Sequence, residues 1–203
     1  MISKGFQKKL LNTMFKEINL NNWFSELKFW LTDSKFRTYK RLDKFLANQP
    51  ISDELQKVAL DLEKKYPEFD ERIIEIIKFV TKKVNYAIDQ DTYGKLEFWA
   101  EAYKVYSNER DDCDGINSLI HVLALLSGVP NELLYSTIGN TMYGGHYYLI
   151  YLSPKTGKIY SIDGTYFVDK TKIVDRKPFV LNKDKYTKIW YVFNPMGVWK
   201  SNV

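Results

Sequence analysis

Residues 108–130, NERDDCDGINSLIHVLALLSGVP, pass without a break from an acidic loop into an apolar helix pattern. Ile116, Leu119, Ile120, Leu123 and Leu126 recur at i, i+3, i+4, i+7 and i+10, which makes one face of a helix fully apolar. Val122, Ala124 and Leu125 extend that character around the other sides, so the spacing predicts a central helix buried on most of its circumference. Asp111 or Asp112 supplies the amino-terminal cap, Gly128 the stop, and Pro130 blocks continuation. Cys113, the single cysteine of the chain, stands where this helix begins. Two readings of it are open: a small buried core residue, or a nucleophile placed at a helix start.

Beyond Pro130 the apolar period changes from 3.6 to 2. NELLYSTIG, HYYLIYLS, KIYSIDGTYF and TKIWYVFNP are rich in Tyr, Ile, Val and Phe and read as strands. SPKTGK, between the second and third of these, reads as a hairpin turn. Upstream the chain reads as helical. Phe6, Leu10, Leu11, Met14, Phe15 and Ile18 form an amphipathic stripe, a second helix is predicted from Trp23 to Leu31, and a third starts at Ser52. Ile73, Ile74, Ile76, Ile77 and Val80 mark a strongly buried helix. Helices followed by an antiparallel sheet define an α+β class. The expected organisation is a helical amino-terminal extension over residues 1–65 and a catalytic domain over 66–203, with the central helix packed on the sheet.

Of the 203 residues, 45% are hydrophobic and 16% aromatic, ample for a core. The net charge of +5 comes from 30 basic and 25 acidic residues well mixed along the chain, a balance that gives no argument for nucleic acid. No apolar run approaches the ~18 residues of a membrane span. The charged amino terminus lacks the apolar core of a signal peptide, and one cysteine forms no internal disulfide. A cytoplasmic protein is expected; oligomeric state is not readable.

A thiol in the first turn of a helix feels the unpaired backbone N–H groups and the helix dipole, which favour thiolate. Glu109, Asp111, Asp112 and Asp114 push the other way, so a nucleophile here needs a histidine partner. His121 lies eight positions along the same helix, about 12 Å of rise away, and cannot reach Cys113. His146 follows two glycines and opens a strand. With the hairpin turn centred between Lys155 and Thr156, paired residues sum to 311. His146 then faces Thr165, and Asp163 lies diagonally across from His146 on the same face. Cys113, His146 and Asp163 form a nucleophilic triad by role. Each of them also has a plain structural reading: core cysteine, structural strand histidine, turn aspartate.

The pieces YAIDQDTYGKLEFW, RDDCDGINSL, LALLSGVPNELL, GGHYYLIY and SIDGTY together resemble the transglutaminase-like superfamily, whose fold is related to papain. The resemblance is closest to the bacterial transglutaminase-like cysteine proteinases and covers roughly residues 84–167. It implies Cys113 as nucleophile, His146 as base and Asp163 as the orienting acid. It also implies acyl transfer through a thioester, with a protein or peptide substrate. The chain departs from the pattern at Asp111, where the family usually carries glycine; an aspartate in the left-handed region there would be strained. Trp99 and Asn108 are candidates for a second oxyanion donor, Trp99 being otherwise a core residue. No cofactor is expected. Some bacterial members of the superfamily bind calcium next to the cysteine, and here Asp112 and Asp114, with Glu109 and Asp111 near, offer oxygen ligands, although the spacing matches no calcium loop. Three functions stay open: hydrolysis of a peptide or amide bond, amine acyl transfer including protein cross-linking, and a non-catalytic module that kept the fold.

Overall fold

The computed structural model describes residues 15–18, 42–179 and 184–201. Helices α1 (Leu42–Ala47), α2 (Asp53–Lys65), α3 (Phe69–Lys83), α4 (Asp89–Tyr93) and α5 (Ala102–Asn108) precede the central helix α6 (Cys113–Leu126). Ser52 caps α2 as its sequence suggests, its hydroxyl accepting from the Leu55 N–H, with acids in the first turn and lysines in the last. The cap of α6 is Asp112, whose carboxylate accepts from the Asp114 N–H at 3.1 Å. Gly128 follows in the left-handed conformation, φ 82°.

Two short strands, β2 (Asn85–Tyr86) and β3 (Arg110–Asp111), form a separate parallel pair that brings Tyr86 beside the loop carrying Cys113. The main sheet is built from β1 (Phe15–Ile18), β4 (Leu134–Thr141), β5 (Gly144–Leu152), β6 (Ile159–Ile162), β7 (Tyr186–Asn194) and β8 (Gly197–Ser201). These six strands lie in the order β1-β8-β7-β4-β5-β6. In the β5–β6 hairpin Leu149 pairs with Ile162 and Leu152 with Ile159, the register expected from the turn.

Alternation along β5 sorts its side chains onto two faces. Tyr147, Leu149 and Tyr151 join Ile116, Leu119 and Leu123 of α6, together with Leu55, Ala59, Ile73 and Ile77, in one buried cluster. Tyr148 and Ile150 point to the opposite face, into a second cluster with Phe15, Tyr135, Val192 and Trp199. One element differs from the expectation. Phe15 and Ile18 belong to a strand paired with β8, where a continuous amphipathic helix is predicted. Pairing satisfies the free edge of β8 and buries Phe15 to 2% exposure, a tertiary gain that outweighs local helical periodicity. The rest of that stripe, and the helix predicted from Trp23 to Leu31, lie outside the described residues.

Candidate active site

The ladder between β5 and β6 stops at Ile162, one residue before Asp163. From there the edge of β5 is open, and the start of α6 occupies it. The Tyr147 N–H reaches the Cys113 thiol, and the Tyr147 carbonyl accepts from Asn117 Nδ2 at 2.8 Å. On the other face of the strand, His146 Nε2 is 2.8 Å from Asp163 Oδ2, with both side chains fully enclosed. Thr165 steadies that carboxylate: its N–H and its hydroxyl each donate to Asp163 Oδ1 at 2.9 Å. The Tyr186 hydroxyl donates to Oδ2 at 3.4 Å. Burial alone would raise the Asp163 pKa, but the bonds from His146 and Thr165 outweigh it and hold the carboxyl below its ordinary range.

The diagonal contact expected between His146 and Asp163 is therefore present. Asp163 lies in the interior at 2% exposure. With Nε2 committed to Asp163, Nδ1 is the remaining ring nitrogen, and it is buried without a hydrogen-bond partner. Cys113 keeps part of its surface open to solvent and makes no hydrogen bond to His146. The helix start does not lower its pKa as the sequence suggests. Burial, then the carboxylates of Asp112 and Asp114, push the thiol well above its ordinary value, against the smaller pull of the Tyr147 N–H.

His121 belongs to a different network. Its Nδ1 is 2.7 Å from the Ser136 hydroxyl, which also bonds the Tyr147 hydroxyl, and burial drives its pKa down to about 3, so it is neutral. The Trp99 indole N–H donates to Glu97 at 2.9 Å, and its ring packs edge-on against Tyr147 and Phe45, a packing role. Asn108 is exposed at the end of α5.

Asp111 is not strained. Among the described residues Glu109 is the one non-glycine with positive φ, at 54°. Asp111 lies in β3, fully buried, where Oδ2 accepts from the Tyr93 hydroxyl at 2.6 Å and Oδ1 from the Asp112 N–H at 2.8 Å. Its carboxylate fills the space beside Gly115, where an added Cβ would sit 2.3 Å from Asp111 Cγ.

The Asp89, Asp111 and Asp112 oxygens lie within 4.8 Å of one another, and Asp112 also belongs to a second such group with Cys113 and Asp114. Asp89 Oδ1 and Asp114 Oδ2 are buried without hydrogen-bond partners. Burial first, and then neighbouring carboxylates, raise Asp89 to about 6; for Asp111, burial and the same kind of crowding also give about 6. A crowded set of hard oxygens with unsatisfied lone pairs fits a cation such as calcium.

Sequence reasoning did not anticipate Tyr166. Its ring stacks on His146 with centroids 4.3 Å apart and planes 11° from parallel, and its hydroxyl is 3.5 Å from that of Tyr86. The nearest signal was its place three residues after Asp163.

A buried helix that starts at a thiol, packed on an antiparallel sheet whose neighbouring strands bring a histidine to an aspartate, is the transglutaminase-like α+β fold. Among solved structures the chain is similar to Legionella pneumophila LapG. The EGTA-treated form aligns over 100% of this chain and 87% of that one, with a TM-score of 0.50 and 18% identity. The calcium-bound form covers 100% and 90%, with a TM-score of 0.48 and 17% identity. No protein-family model and no curated protein sequence matches the chain.

Proposed function

We propose that the protein is a cysteine peptidase or amidase that works through a thioester on Cys113, with His146 as the proton-transfer group and Asp163 as the residue that orients it. The observation that supports this best is the enclosed His146–Asp163 pair, at 2.8 Å, on the strand whose next residue bonds the Cys113 thiol. His146 Nδ1 takes the thiol proton, and the sulfur attacks the carbonyl carbon of a peptide or amide bond. The tetrahedral oxyanion forms beside the backbone N–H groups at the start of α6. As the C–N bond breaks, His146 returns the proton to the leaving amine; it then deprotonates the water that cleaves the thioester. Asp163 keeps the second nitrogen protonated throughout and stabilises the imidazolium. Tyr166 covers the imidazole and keeps water from the His146–Asp163 bond.

Asp89, Asp111 and Asp112 are the residues that would hold calcium. Its charge would offset the carboxylates that keep the thiol protonated.

Two measurements test these assignments. Iodoacetamide should alkylate Cys113 at least about tenfold faster in the native protein than in His146→Ala at pH 7, both in calcium, because a positioned base generates the thiolate. Equal rates in two folded proteins would remove His146 from the mechanism. The second measurement is thermal. Asp89 and Asp111 have raised folded-state pKa values, so the stability they contribute is fully present below their unfolded values, ~4, and is lost as pH rises through about 6. A cation can bind only the ionised forms. The calcium-induced rise in melting temperature should therefore be small at pH 5 and large at pH 7. A rise independent of pH, or none at either, would remove calcium from this cluster.

A further inference from the structure

We infer that Asn117 is a positioning residue that ties together the three segments carrying Cys113, His146 and Asp163; the inference rests on the function proposed above. Asn117 is fully buried and lies one helical turn beyond Cys113. Its Nδ2 donates to the Cys113 carbonyl at 3.0 Å and to the Tyr147 carbonyl at 2.8 Å. Its Oδ1 accepts from the Gly164 N–H at 2.8 Å. Each bond therefore ends on a triad residue or on the residue directly after one.

Topology makes such a tie necessary. Beyond Ile162 no β-ladder holds the Asp163 segment to β5, and α6 meets that strand at its open edge. The contact around Asn117 is close on all sides. A Cβ on Gly164 would lie 2.7 Å from Ile120 Cδ1, 2.8 Å from Ile116 Cγ2 and 3.4 Å from Asn117 Oδ1. Glycine at 164 lets the Asp163 turn lie against the helix, and the Asn117 amide sets its height there. An amide is the one neutral side-chain group of this length that offers two donors and an acceptor together. Aspartate would supply the acceptor but would face two carbonyl oxygens with no proton to give. Leucine would fill the volume and leave the buried Tyr147 carbonyl and Gly164 N–H without this partner.

The test is a double-mutant cycle in calcium-loaded protein at one fixed pH. Iodoacetamide alkylation of Cys113 is compared in the native protein, His146→Ala, Asn117→Leu and the double variant, with a cooperative melt required of each. The ratio of rates with and without His146 is expected to be large in the native background and to fall to about one in Asn117→Leu, because the coupling is lost. A purely structural role would lower the melting temperature and leave that ratio intact, and this result overturns the inference. If Asn117→Leu does not fold, Gly164→Ala loosens the same tie from its other end, and an unchanged ratio there overturns the inference equally. A native ratio of one overturns the triad itself, an outcome distinct from a native ratio that survives at Asn117→Leu.

Discussion

Replacing Asp163 with asparagine should slow the acyl transfer proposed for Cys113 by about 10⁴-fold, the loss that the same exchange brings in a Ser-His-Asp triad. The geometry gives the reason. Oδ1 is committed to the N–H and hydroxyl of Thr165, two donors, so asparagine will place its carbonyl oxygen there. Its NH₂ then faces His146 Nε2 and must donate to it. The imidazole is forced into the tautomer that carries its proton on Nδ1, the nitrogen that should accept from the thiol. The shape of the site survives and its proton chemistry does not. The measurement is turnover of an amide substrate selected with the native protein from a peptide library.

Stability should change in a recognisable way. The Asp163 pKa is depressed in the folded state, so the stability it contributes is present above the unfolded value, ~4, and is lost as pH falls through the folded one. The melting temperatures of the native and Asp163→Asn proteins should differ at neutral pH and draw together as pH falls below the unfolded value, ~4. A folded Asp163→Asn protein with native turnover would mean that the carboxylate only shapes its turn through Thr165.

The second large effect is structural. Gly115→Ala should lower stability by about 3 kcal/mol, combining ~1–3 for overpacking with ~1 for the hydrogen bonds disturbed. For a chain of this size that corresponds to a fall of about 10 °C in melting temperature. The new methyl would stand 2.3 Å from Asp111 Cγ. Asp111 has no easy way out, because it is fully buried and its carboxylate holds the Tyr93 hydroxyl and the Asp112 N–H. Removing the carboxylate should relieve the clash, so Asp111→Gly combined with Gly115→Ala should melt higher than Gly115→Ala alone. A Gly115→Ala protein that melts like the native one would show that the Asp111 side chain swings aside freely.

This pair also explains how aspartate is accommodated at position 111. Position 111 needs no left-handed backbone, so aspartate is unstrained there. What it needs is room, and the glycine two residues after the cysteine supplies it.

The features that the sequence determined by itself are those set by neighbours along the chain. Helix α6 starts at Cys113 because an aspartate cap precedes it, and it stops because Gly128 and Pro130 cannot continue it. The β5–β6 register follows from one turn, since a two-residue side-chain period carries the pairing outward from SPKTGK to Leu149 and Ile162, just beyond which His146 meets Asp163. The tertiary structure alone decided what depends on segments distant in sequence. Phe15 joined a strand because the edge of β8 was free. Asp163 went to the interior under Tyr186 and beside a stacked Tyr166–His146 pair. The thiol pKa rose, although the helix dipole is local, because burial and the surrounding carboxylates outweigh a half-charge at one helix end. Asn117 looked like any polar residue on an apolar helix; beyond the Cys113 carbonyl one turn back, its partners lie on two other segments, and only the packed fold brings them within reach of one amide.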